Sequence, residues 1–241
     1  MSKNSFKDLI LYEDDNYILI NKPPFVSSLS ERHATKTSPS ILSMARTYCP
    51  EAQACHRLDK ETSGVMVISK HNDAYKHLTL LFQKRKVTKV YHALAKGQRN
   101  FEETIVDLPI LKLSKKGLVT ISKKEGKLAL TTFNTIKIFK EHTLVECKPH
   151  TGRMHQIRIH LACLSAPIAG DESYGGQHIF LSTFKKKFHL KKDTEEQPIT
   201  HRVALHAQKI VFLDMDEKEI AVDAPYPKDF SILVKQLEKF V

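Results

Sequence analysis

The chain has 241 residues, 41% of them hydrophobic and 27% charged, an ordinary balance for a globular protein with room for a sizeable core. Its 38 Lys and Arg against 27 Asp and Glu leave a formal charge of +11, which favours polyanionic partners, most simply nucleic acid or an anionic membrane surface. No apolar run approaches the roughly 18 residues of a membrane span, and the polar start Met1-Ser2-Lys3-Asn4 lacks a signal-peptide core. Cys49, Cys55, Cys147 and Cys163 form no Cys-x-x-Cys pair, so reduced thiols in the cytoplasm are expected over a disulfide frame.

Leu9 to Glu13 and Tyr17 to Asn21 read as short strands around an Asp14-Asp15-Asn16 turn, and Lys22-Pro23-Pro24 stops regular structure. Residues 27–40 read as an exposed Ser-, Thr- and Pro-rich loop. The polar segment His56 to Ser63 then runs through Gly64 into an apolar strand, Val65 to Ser69. Such an order delivers a polar loop to the lip of a buried strand. Asp59 is its candidate; on its own it is as readily a turn residue bonding its own backbone.

A helix follows, capped by Asn72 or Asp73, with Ala74, Leu78, Leu81 and Phe82 on one face. Its basic end, Gln83 to Lys89, suits the helix macrodipole and equally a path for phosphates. Lys89 to Gly97 is strand-like, and Tyr91 by itself reads as a core aromatic. Residues 107–127 form a basic hairpin or loop with Lys112, Lys115, Lys116, Lys123, Lys124 and Lys127. Leu128 to Phe139 and Leu144 to Lys148 alternate as strands.

Thr151 or Gly152 opens a helix with Met154, Ile157 and Leu161 on its apolar stripe and Arg153 and Arg158 elsewhere. Residues 167–176 are an irregular loop. Residues 178–200, with Lys185 to Lys187, Lys191 and Lys192, then Asp193 to Glu196, read as a mobile surface insertion. Arg202 starts a strand to Leu213, a two-residue turn near Glu217-Lys218 leads to Ile220 to Val222, and a closing helix carries Phe230, Leu233, Leu237 and Val241. His150, His155 and His160 recur every five residues, a helical rotation of about 140° per step, so they do not converge on a metal. Without repeat or linker, a single domain over 1–241 is expected, with residues 1–8 a short tail.

The string His56-Arg-Leu-Asp-x-x-Thr-Ser-Gly64 resembles the signature of the RluA-type RNA pseudouridine synthases. So do Lys89-x-Tyr91-x-Ala93-x-x-x-Gly97, then Thr151-Gly-Arg-x-His-Gln-Ile-Arg-x-His160 with Pro167-Ile-x-Gly-Asp-x-x-Tyr-Gly175, and Leu205-His-Ala207. The likeness runs from about Ile10 to Phe230. One departure stands out: the family usually follows Asn-Lys-Pro with a glycine and an apolar pair, and this chain has Phe25-Val26-Ser27.

The resemblance implies an α+β fold, a mixed and mostly antiparallel sheet with flanking helices and a central RNA-binding cleft. It implies isomerisation of uridine to pseudouridine without cofactor or metal. In it Asp59 is the nucleophile, attacking C6 or C1′ or acting with a base at C2′. Tyr91 stacks on the base, with its hydroxyl a candidate for removing the C2′ proton. Arg158 pairs with Asp59 and keeps it charged and oriented, and Leu205 lines the base pocket. Arg57 fills the space the flipped base leaves or holds a phosphate. Thr62, Arg153 and His155 complete the substrate-binding set. The implied partner is RNA (large-subunit rRNA or tRNA) and not a membrane. A cytoplasmic monomer is expected, the catalytic domain alone without an S4 domain. The rival readings are a non-catalytic RNA-binding protein on the same basic cleft, and a hydrolase built on Asp171, His150 and His155, which lacks a phosphate loop.

Overall fold

Tyr17, Ile18, Leu19 and Ile20 are fully buried, which explains why a short apolar run near the start becomes a central element of the fold. The computed structural model describes residues 5–30, 39–113, 117–185, 188–190 and 194–239. Most of the 27–40 loop, Lys115, Lys116, Lys186, Lys187, Lys191, Lys192, Asp193 and Val241 lie outside the described residues.

In chain order the strands and helices are β1 Ile10–Glu13, β2 Tyr17–Lys22, α1 Ile41–Tyr48, β3 Gln53–Ala54, β4 Ser63–Ser69, α2 Asn72–Gln83 and β5 Thr88–Lys96. Then come β6 Thr104–Asp107, β7 Ile110–Leu113, β8 Leu118–Ile121, β9 Leu130–Ile138, β10 His142–Pro149, α3 Gln156–Cys163, β11 Leu205–Leu213, β12 Glu219–Asp223 and α4 Lys228–Lys239. The chain groups into two compact units, the first reaching to Tyr91 and resuming over His206–Tyr226, the second formed by His92–Leu205 and Pro227–Val241.

In the first unit β1-β2-β4-β11 are neighbours, with β3 on β4 and β12 on β11. All seven residues of β4 are buried, the pattern of a strand covered on both faces. Met66, Val67 and Ile68 join Leu19, Ile20, Ile41, Leu78 and Phe212 in one core, each such side chain contributing about 1.5–3 kcal/mol of burial. Phe6 and Leu9 near the N-terminus pack into the same core. Strand β5 passes from the first unit to the second after Tyr91; in the order β5-β10-β9-β6 its neighbours belong to the second unit, where β7-β8 form a separate hairpin, as the reading of residues 107–127 allowed. That hairpin covers a small core of Ile110, Val119 and Ala129, against which Met154, Ile159 and Tyr174 pack. The β4–β11 pairing is parallel, while β1–β2, β2–β4, β9–β10, β6–β9, β7–β8 and β11–β12 are antiparallel. The α+β expectation of a mixed, mostly antiparallel sheet with helices is therefore met. In segment 178–200, Ile179 and Phe184 are buried and Ile199 N–H donates to Ile179 O.

The elements differ from the sequence reading in several places: β3 and β6 were not anticipated, and β11 opens at Leu205, not Arg202. Helix α1 was not anticipated; Ser40 caps it by accepting from Ser43 N–H, and Ile41 and Ala45 face inward. Helix α2 is capped by neither Asn72 nor Asp73 but by His71, whose extended backbone lets Nδ1 accept from Ala74 N–H. Helix α3 opens at Gln156, not Thr151 or Gly152. The Gln156 side chain accepts from Thr151 Oγ1 and Arg153 N–H and donates to Leu130 O, holding the preceding residues out of the helix. The two-residue turn before β12 is a longer loop: Leu213 pairs with Glu219, and Asp214 Oδ1 accepts from the N–H groups of Asp216 and Lys218.

Candidate active site

The loop carrying Asp59 is pegged before it enters β4. His56 Nε2 accepts the N–H of Val67 at 3.0 Å, and its ring stacks on Phe82 at 5.0 Å. Burial, helped by the charge of Lys89, pushes the His56 pKa down to about 3, so the ring stays neutral and keeps its acceptor. Ser28 Oγ donates to Leu58 O at 2.7 Å and accepts from Leu58 N–H at 3.0 Å. Lys60 O accepts from Phe25 N–H at 2.8 Å and from the fully buried Lys22 ammonium at 3.2 Å. Lys22 also donates to the carbonyls of Pro23 and Val26. Thr62, buried, donates its N–H to Asp59 O and closes the turn. Asp59 thus stands between two backbone pegs, one residue to either side.

Behind the loop, Gly64 is required by its surroundings. Its φ is +114°, and a Cβ there would lie 2.2 Å from Ala207 O in the parallel β4–β11 register. Ser63 and His206 are 2.9 Å apart at Nδ1, and His206 Nε2 donates to Ala224 O, so Nδ1 accepts the Ser63 hydroxyl proton.

Tyr91 lies on β5, half-buried against the core of the same unit. Burial first, and then the negative charge of Asp59, raise its pKa well above the usual phenol value. The hydroxyl therefore remains protonated at neutral pH, and the two candidates are within electrostatic reach of each other. Burial lowers Lys89 on the same strand to about 8. Arg57 is exposed beside Asp59. The first unit thus gathers Arg57, Asp59, Thr62 and Tyr91.

The second unit holds Arg153, His155, Arg158 and Leu205. Arg158 projects from α3 and is gripped by Asp171, Nε to Oδ2 and Nη2 to Oδ1, both at 2.7 Å. Its guanidinium carbon lies 5.0 Å from the Tyr174 ring centroid. The Tyr174 hydroxyl accepts from Val119 N–H and lies 2.9 Å from His155 Nδ1. His155 precedes α3 in a left-handed conformation, φ +51°. Arg153 Nε donates to Leu128 O. Leu205 is buried at the start of β11, its carbonyl accepting from Arg202, which is itself paired with Asp229.

Four residues that carry this geometry were not singled out from the sequence for it: Lys22, Ser28, Asp171 and Tyr174. The last two had a signal in Gly170-Asp-x-x-Tyr-Gly175, and Asp171 entered only the hydrolase alternative. Among the described residues no group of three or more His, Cys, Asp or Glu is placed to hold a metal ion. No helix among them is long and apolar enough to cross a membrane.

The family model for RNA pseudouridylate synthase matches residues 16–163. The chain is 32% identical over 220 residues to ribosomal large subunit pseudouridine synthase C of Vibrio cholerae serotype O1, covering 90% of this chain and 65% of that one. To ribosomal large subunit pseudouridine synthase D of the same organism it is 35% identical over 226 residues, covering 91% of this chain and 68% of the relative. It therefore spans about two thirds of the length of these relatives. Among solved structures, human RNA pseudouridylate synthase domain containing 4 superposes with a TM-score of 0.73 at 26% identity, covering 97% of this chain and 95% of that chain.

Proposed function

This chain belongs to the RNA pseudouridylate synthase family, and on that premise we propose that it isomerises specific uridines of structured RNA, most directly large-subunit ribosomal RNA, in the cytoplasm. The observation that carries the reading is Asp59, pegged through the backbone on both sides with Tyr91 within reach of its charge. The reaction breaks the N1–C1′ bond of uridine, turns the base and rejoins C1′ to C5, with C5 losing its proton to solvent and N1 taking one up. Atoms balance without a cofactor.

A carboxylate fits the need for a group that is charged at neutral pH and can leave again. A tyrosine whose hydroxyl is held protonated is a poor base, so of the two groups Asp59 is the one suited to take a proton or attack carbon. Tyr91 offers a ring face and a hydroxyl donor. Within the proposal Arg158 keeps the role the resemblance gives it. The target uridine must leave its stack, which costs a few kcal/mol and least in unpaired loops. The ribosomal substrate follows the names of the relatives, and the charge of +11 supports an RNA affinity that weakens with salt.

The test is pseudouridine mapping of total RNA from cells with and without the gene, rescued by wild type or by Asp59→Asn. Loss of defined sites, restored by wild type alone, is expected, with the purified variant still binding RNA. Rescue by Asp59→Asn would overturn the nucleophile assignment. No lost site, together with inactive purified protein on ribosomal fragments, would overturn the reading.

A further inference from the structure

Six non-glycine residues among those described have positive φ, and Phe25, at +66°, is the one apolar residue of the six. This left-handed conformation penalises a Cβ and is adopted freely by glycine. A phenylalanine that recovered that cost by packing would be buried. Phe25 is instead 52% exposed, while Val26 beside it packs against the core. The backbone there is not loose: Phe25 N–H donates at 2.8 Å to the carbonyl of Lys60, the residue after Asp59. Arg57 and Lys60 on that same segment are exposed cations. An aromatic ring held in water on a rigid, strained backbone, beside exposed cations and the candidate nucleophile, has the chemistry of a base-stacking platform for single-stranded nucleic acid.

We propose that Phe25 is a substrate-recognition residue that stacks on an unpaired nucleobase of the RNA next to the uridine delivered to Asp59. The inference rests on the function proposed above and adds a contact that selects substrates by an unpaired flanking base. Arg57 and Lys60 hold the phosphates while the ring reads the presence of the base. Because stacking accepts every base, the selection is for an unpaired neighbour and not for a sequence.

The chain contains no tryptophan, so Phe25→Trp in the full-length protein introduces a single indole that reports directly on stacking. The probes are single-stranded oligouridylate and a strand of equal length lacking bases. Quenching of the indole by the first and not the second is expected; equal responses overturn the proposal, whether or not the protein is active.

In the activity assay, Phe25→Gly should raise KM for a ribosomal RNA fragment roughly tenfold, within the 5- to 150-fold that one stacked base is worth. Phe25→Tyr should restore it. Glycine suits the backbone, so Tm of Phe25→Gly should hold or rise. An unchanged KM overturns the proposal, as does a KM rise accompanied by a fall in Tm. Wild-type activity in the same assay tests the proposed function separately, because an inactive wild type fails that reading while the indole titration still decides stacking.

Discussion

Asp59 and Arg158 are the two charged side chains to which the proposed function gives parts in one reaction, and the contacts described for them differ. The pegs around Asp59 act on backbone atoms of its neighbours, through Ser28 on Leu58 and through Lys22 and Phe25 on Lys60. Arg158 is held through its own guanidinium, bidentate to a buried Asp171 and against the ring of Tyr174. Backbone pegs fix the point from which a side chain projects, which suits a group that must change bonding partners during a reaction. A bidentate grip fixes both position and charge, which suits a group that must not move. The first arrangement should weaken by degrees when a peg is removed, and the second should fail at once.

The largest effect is expected from Asp171→Ala, which leaves the Arg158 guanidinium buried without that carboxylate. Loss of a partner from a buried pair costs about 3–5 kcal/mol, to be read as a fall in the midpoint of denaturant unfolding. A loss below about 1 kcal/mol would mean that the grip is dispensable and that the contrast between the two residues is false.

Next is the acid limb of stability. His56 has a folded pKa of about 3 against 6.5 for the free side chain, so the unfolded state binds the proton first as pH falls. Its contribution is complete above pH 6.5 and is lost on descending towards pH 3, about 3 kcal/mol of it by pH 4. Unfolding at pH 7 and pH 4 should show this loss. His56→Gln, which retains an acceptor for Val67 N–H, should flatten the difference; an unaltered acid limb would remove His56 from the set of pegs.

The smallest effect is expected from Ser28→Ala. Two hydrogen bonds to Leu58 disappear, about 1–2 kcal/mol in all, and kcat should fall severalfold with KM little changed. Equal stability and equal kcat would show that Asp59 is placed without this peg.

How much of this was legible from the residues depends on range. β2, β4, β9, β10 and β11 follow from local apolar runs and alternation, and the motif strings led to the family and to a mixed, mostly antiparallel sheet. Helix α1 had a readable signal, Ser40 at the cap with Ile41, Met44, Ala45 and Tyr48 at helical spacing, obscured by the polar stretch before it. The start of α3 was misplaced because the Gln156 side chain binds residues upstream of it and Leu130 on β9, and nothing in a local window expresses that.

Most of the longer strands, helices α2 and α4, the residue types available to the site and the family could be read from the residues alone. All of these reside in neighbouring residues. It took the folded chain to show that Ser28 braces Leu58 from 30 residues away and Lys22 braces Lys60 from 38, that Asp171 is the carboxylate gripping Arg158, and that Phe25 stands exposed at φ +66° with its N–H bonded to the Asp59 loop. Those partners meet only once the chain has folded, since a buried donor takes whichever acceptor packing brings to it and sequence distance does not enter the choice.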